Sequence, residues 1–307
     1  MSAGKRFRQA IADAKQAGAP LHIVGVADGS DALEAEKAGF KAIYISGSQV
    51  AASRGWADIG RLELKHIVEA VQRIQDSGVK LPILVDIDTG FEDAAETIRT
   101  LEKLGVAAVH MEDQQDLKVC GHLPGKHVVS KEDAVARIKK AVSAKTDPDF
   151  VLMARTDALA VEGMEKTLER IAMYTAAGAD MIFAEAFPDS ASYKKVKEAA
   201  LGKPVLCNMT EFGKVDLKTP LEIEKETGGN VDIVLNPLSI YRAQRQTAAV
   251  GYKEVFETGS QRGLVARGLL QMREYFQDLI NYTKQIADRA KSLTTGSSGS
   301  KPDQFKK

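Results

Sequence analysis

A chain of 307 residues, 44% of them hydrophobic, can bury a large core, either as one big α/β domain or as two ordinary ones. Its 42 lysines and arginines balance 42 aspartates and glutamates, which excludes a global field drawing the protein to nucleic acid or an anionic membrane, yet a local cluster can still bind a small charged ligand. The N-terminal stretch MSAGKRFRQAIADAKQAG lacks the apolar run of a secretory signal, and no segment approaches the ~20 apolar residues that span a bilayer, so a cytoplasmic protein is expected.

Eight short aliphatic and β-branched runs follow in order: 21–26, 41–46, 81–88, 106–113, 150–156, 180–186, 203–209 and 231–236. Their near-continuous apolarity predicts strands buried on both faces, and intervening stretches such as 61–78 carry apolar residues at helical spacing. Eight βα units predict an α/β fold of the (β/α)8 TIM-barrel type. An open doubly wound sheet is the alternative, but VGVADGSDA after the first strand supplies no GxGxxG turn. Beyond the eighth unit, Leu269, Leu270, Tyr275, Phe276, Leu279, Ile280 and Tyr282 give additional C-terminal helix an apolar stripe that must pack on its own barrel or on a neighbouring subunit. Residues 1–291 are therefore expected to form one barrel domain with C-terminal helices, and the Gly, Ser and Lys-rich 292–307 a disordered tail.

In a parallel barrel, polar residues at the carboxyl ends of strands face the mouth. Here these are Tyr44, Ser46, Gly47 and Ser48, then Asp86 and Asp88, Glu112 and Asp113, Arg155 and Thr156, Glu185, Asn208 with Thr210 and Glu211, and Asn236 with Ser239. Asp86 and Asp88 are two apart on a predicted strand, so both carboxylates are expected on one side of the sheet. Two like charges held together call for a cation or a shared proton to offset them, and oxygen donors without a histidine or thiol cluster suit Mg²⁺ or Mn²⁺. Glu112 and Asp58 are candidates to join them, directly or through water. His110 and His22 read as structural histidines, and Trp56 as equally suited to anchoring a loop or touching a ligand.

The segment DQQDLKVCGHLPGKHVVS is a long polar βα loop, followed by a helix whose start is marked by Ser130 with Asp133 three residues on. The chain has two cysteines, Cys120 and Cys207, too few for a disulfide framework and without CxxC spacing. Cys120 has Lys118 and His122 within two residues, which lower a thiol pKa, and this marks it as a candidate reagent. Cys207, between Leu206 and Asn208, reads as a small core hydrophobe.

KVCGH at 118–122 resembles the K-[KR]-C-G-H signature of the isocitrate lyase and 2-methylisocitrate lyase group, within the phosphoenolpyruvate mutase superfamily. YISGS, DIDTGF, HMEDQ, VSKEDAVARI, ARTDALAVEG, NMTEFG and NPLSIYRA occur in that group's order, so the resemblance spans about residues 5–290. NMTEFG, NPLS and the short length resemble the 2-methylisocitrate-cleaving branch. Val119, Ser48 and Glu92 depart from the pattern; the first removes a charge beside the thiol and bears on substrate choice more than on reaction class.

The resemblance implies a Mg²⁺-dependent carbon–carbon lyase, releasing pyruvate and succinate from 2-methylisocitrate in propionate breakdown by the methylcitrate cycle. It also implies a homotetramer that exchanges C-terminal helices. Tyr44, Ser46, Gly47 and Ser48 would then line the pyruvate pocket, and Glu185, Asn208, Thr210 and Arg242 the succinate half, with Gly121 also against substrate. Cys120 would be the general acid, tuned by Lys118 and His122, and Arg155 would clamp a carboxylate bidentately. The general base stays open between Tyr44 and a metal-bound water. Isocitrate or 2,3-dimethylmalate cleavage, and less favourably oxaloacetate decarboxylation, are the alternatives; a Schiff-base aldolase on Lys118 and a non-catalytic scaffold are remoter ones.

Overall fold

The computed structural model describes residues 1–115, 125–213 and 216–295. Eight parallel strands form a closed barrel: β1 (Leu21–Gly25), β2 (Ile43–Ile45), β3 (Ile83–Asp86), β4 (Ala108–Glu112), β5 (Val151–Thr156), β6 (Met181–Ala184), β7 (Val205–Asn208) and β8 (Ile233–Asn236). Each predicted run contains its strand, trimmed at the ends. The seam closes through Leu21 opposite Ile233.

Alternation along each strand separates two layers. Ile23, Tyr44, Leu84, Met153, Phe183, Leu206 and Leu235 pack inside the barrel, whereas Val24, Ile43, Val85, Leu152, Ile182, Val205 and Val234 face the surrounding helices. This double burial is why the strands read as unbroken apolar runs. The first helix (Ala3–Gln16) inserts Phe7 and Ile11 into the inner cluster, and so covers the end of the barrel at which the strands begin. Gly4 permits that approach, because a Cβ there would lie 2.2 Å from the Asp149 carbonyl oxygen. Arg8 ties the same helix down by donating to Asp180 Oδ1 at 2.7 Å.

The predicted helical stretch 61–78 contains the helix Leu64–Gln75, which buries Ile67, Val71 and Ile74. Ser130 caps the helix Lys131–Ser143 as its spacing suggests, accepting from the Asp133 backbone N–H at 3.1 Å. That capping fixes where the long loop after β4 must end.

The chain divides into two compact units, Met1–Gln246 and Thr247–Lys307. The first holds the barrel. In the second, the end of the helix Ser239–Thr258 is followed by Arg262–Ala266, Arg273–Leu279 and Tyr282–Thr295. Arg267 pairs there with Glu254. Of the apolar residues anticipated in this region, Leu279 is buried, while Leu269, Leu270, Tyr275, Phe276 and Tyr282 are exposed. The expected tail lies outside the described residues from position 296 onward.

Candidate active site

Register assembles the site. Asp86 on β3 stands opposite His110 on β4, and Glu112 on β4 opposite Arg155 on β5. Asp86, Glu112, Arg155, Glu185 and Asn208 thus come to the carboxyl end of the barrel from five consecutive strand ends, as the alternation rule requires.

Asp86 and Asp88 are brought together, though not by the pleat. β3 ends at Asp86, and Asp88 lies beyond it in the left-handed region at φ 48°. A non-glycine residue held there stores local strain that the surrounding structure must support. The Asp88 backbone N–H donates to Asp86 Oδ1 at 3.1 Å, and the Gly47 N–H to Asp86 Oδ2 at 3.1 Å. A turn therefore directs the second carboxylate, and extended strand geometry does not.

The two carboxylates converge over Gly47. A Cβ at that position would lie 3.0 Å from Asp86 Oδ2 and 3.1 Å from Asp88 Oδ1. The bare glycine leaves a cradle walled by two nearly buried carboxylates. An all-oxygen donor pair around such a space fits a hard divalent cation. Among the described residues, no three His, Cys, Asp or Glu side chains cluster closely enough to hold a metal ion. Asp58 lies half-buried in the bend after the helix Gly47–Ser53, and the Glu112 carboxylate sits 3.4 Å from Arg155 Nε.

His110, read from the sequence as structural, connects two site residues. Its Nε2 is hydrogen-bonded to the Tyr44 hydroxyl at 2.9 Å, and its Nδ1 lies 3.8 Å from Asp86 Oδ1. The ring is fully buried and packs at a steep angle to Phe183, with centroids 5.0 Å apart. Its two-residue spacing from Glu112 was the available signal, since both had to face inward.

Arg155 is enclosed by carboxylates. Its Nε donates to Asp157 Oδ2 at 2.8 Å and its Nη2 to Asp157 Oδ1 at 3.1 Å, with Glu185 Oε2 at 3.3 Å from Nη2. Burial opposes the charge, but Asp157, Glu185 and Glu112 outweigh it and hold the guanidinium pKa well above its ordinary value. The bidentate clamp expected for substrate is taken up on one edge of the fork by the chain's own Asp157, a residue that the sequence reading missed.

Asn208 donates to Glu185 Oε2 at 3.2 Å, while its buried Oδ1 has no hydrogen-bond partner among the described residues. An unused acceptor beside a paired carboxylate suits a ligand donor. Ser46 caps the helix Gly47–Ser53, accepting from the Gln49 N–H at 3.4 Å. Ser48 and Arg242 share a groove of about 700 Å³ with Glu211, Phe212 and Tyr241. Arg242 is exposed there, its guanidinium 5.6 Å from the Phe212 ring centroid, and Thr210 is half-buried on the adjoining loop.

Lys118, Cys120, Gly121 and His122 lie outside the described residues. The residues flanking them are anchored. The Gln115 N–H donates to the His127 carbonyl at 3.0 Å and the Val129 N–H to the Asp113 carbonyl at 2.9 Å, forming a short antiparallel stem. Cys207 is buried in the outer core as expected, where the Tyr193 hydroxyl donates to its Sγ at 3.0 Å. Burial pushes this thiol up to about 12.

The phosphoenolpyruvate phosphomutase family model matches residues 11–248, which takes in all eight strands. The chain belongs to this family. Among family relatives, a 2-methylisocitrate lyase of Shewanella oneidensis is 49% identical over 268 residues, 86% of this chain and 89% of the relative. A 2-methylisocitrate lyase of Salmonella typhimurium is 43% identical over 286 residues, 92% of this chain and 93% of the relative. The crystal structure of a 2,3-dimethylmalate lyase is similar in fold, with a TM-score of 0.83 at 28% identity, covering 95% of this chain and 96% of that one.

Proposed function

We propose that this chain is a divalent-metal-dependent lyase that cleaves 2-methylisocitrate to pyruvate and succinate, as the names of its relatives say of them. The observation that carries the reading is the 49% identity to a 2-methylisocitrate lyase across most of both chains. The carboxylate cradle over Gly47 agrees with it. When bound between Asp86 and Asp88, a cation such as Mg²⁺ would supply positive charge for the hydroxyl and carboxylate oxygens of the pyruvate half. Asp58 and Glu112 would support it through water.

The reaction removes the hydroxyl proton, forms the pyruvate carbonyl, breaks the bond to the neighbouring carbon and protonates that carbon to give succinate. Arg155 opposes the carboxylate charge that builds up as the bond breaks. Glu185, Asn208, Thr210 and Arg242 hold the succinate half, and Ser46, Gly47, Ser48 and Gly121 the rest of the substrate. In this reading Tyr44 takes the hydroxyl proton as it passes its own to His110 Nε2, 2.9 Å away. Cys120, tuned by Lys118 and His122, delivers a proton to the succinate carbon.

The test is product release from 2-methylisocitrate, isocitrate, 2,3-dimethylmalate and oxaloacetate in the presence of Mg²⁺. Pyruvate and succinate should appear one to one from 2-methylisocitrate, with the highest kcat/KM of the panel. Preference for 2,3-dimethylmalate would favour the second reading, which the 0.83 TM-score to that lyase supports. No release from any of them would remove the lyase.

The same reading extends to assembly and location. A homotetramer exchanging C-terminal helices is supported by the exposed Tyr252, Phe256, Met272, Phe276 and Ile286. Sedimentation should give a particle of four chains; a monomer would refute the exchange. Among the described residues no helix is long and apolar enough to cross a membrane, and we place the enzyme in the cytoplasm.

A further inference from the structure

Arg155 is fixed by a device that the reaction itself does not call for. Both Asp157 oxygens are engaged by the Nε–Nη2 edge of the guanidinium, at 2.8 and 3.1 Å. Asp157 is in turn anchored through its backbone, whose N–H donates to Asp113 Oδ1 at 2.9 Å. Asp113 is itself held by the Thr156 hydroxyl at 2.7 Å and the Tyr174 hydroxyl at 2.8 Å. From the stem of the long loop, Lys126 places its Nζ 3.5 Å from Asp157 Oδ1, with both side chains almost wholly buried.

A buried carboxylate between two cations is costly unless its geometry is well satisfied, and here every charge has its partner. With one edge of the fork occupied, the Nη1 side remains for a substrate carboxylate. Glu112 and Glu185 stand farther off, at 3.4 and 3.3 Å, and supply charge without setting the plane.

We propose that Asp157 is a positioning residue, orienting the Arg155 guanidinium for substrate, with Lys126 on the loop stem holding the Asp157 carboxylate in place. The idea rests on Arg155 acting in the lyase reaction proposed above. It assigns a task to the aspartate of ARTD and links the arginine to the base of the loop that carries KVCGH.

The test is a double-mutant cycle on the full-length enzyme. Asp157→Asn, isosteric but with one of the two acceptor oxygens replaced by an NH2 that cannot accept from the guanidinium, should lower kcat by about tenfold or more, with a smaller change in KM. Lysine has no fork to orient, so in an Arg155→Lys background the same substitution should cost less than about threefold. Native kcat in Asp157→Asn, or equal losses in both backgrounds, overturns the proposal. Should Asp157→Asn not fold by circular dichroism, Lys126→Met takes its place in both backgrounds under the same criteria. A crystal structure of the single variant decides the point without any substrate: the guanidinium plane should turn, and an Arg155 unmoved within about 0.5 Å overturns the proposal even if the lyase reading fails.

Discussion

Gly47→Ala should weaken divalent-cation binding by about tenfold or more and slow cleavage by about a hundredfold, with the fold intact. The added methyl would sit 3.0 Å from Asp86 Oδ2 and 3.1 Å from Asp88 Oδ1, tighter than ordinary carbon–oxygen contact. Alanine suits the first position of the helix Gly47–Ser53, so the backbone gains nothing from glycine there. The cost falls on the carboxylates, and Asp88, already in the left-handed region at φ 48°, has little freedom to yield. Manganese titration followed by electron paramagnetic resonance reads the binding directly. Chelator should silence the native enzyme and Mg²⁺ restore it, whereas the variant should need more Mg²⁺ for the same recovery. Native manganese affinity in Gly47→Ala would show that the cradle is not the cation site.

Cys120→Ser should fold normally, still bind succinate and pyruvate, and lose on the order of a hundredfold or more in turnover, the scale of a positioned proton donor. The other cysteine makes the experiment clean. Cys207 is buried, engaged by Tyr193 and pushed up to about 12, so alkylating reagents near pH 8 should leave it untouched in the native protein. Inactivation by iodoacetamide should therefore track modification of the Cys120 peptide alone. Near-native turnover in the serine variant would remove this thiol from the chemistry.

The barrel was legible because strands buried on both faces leave unbroken aliphatic runs, and each of the eight runs holds its strand. The aspartate pair was legible too, but the pleat was the wrong cause: β3 stops at Asp86, and a strained turn brings Asp88 round. Spacing fixes which face a strand residue takes only while the strand lasts. His110 faced inward as its spacing from Glu112 required, but its link to Tyr44 depends on β2, β3 and β4 lying side by side, which no local pattern encodes. Asp157 was passed over because an aspartate just beyond a strand end resembles a solvated one. Its burial comes from Lys126 and Asp113, far off in sequence. Glu185 and Asn208 were legible as polar residues at strand ends, with the family resemblance implying their role, and the structure adds their mutual hydrogen bond.

The stoppered floor of the barrel sets where traffic can pass. With Phe7 and Ile11 plugging one end and Leu84, Met153 and Phe183 filling the bore, no passage along the axis remains among the described residues. In the lyase proposed above, reactant and both fragments would then use the doorway at the carboxyl ends of the strands, and product-inhibition patterns against substrate should show which fragment leaves last.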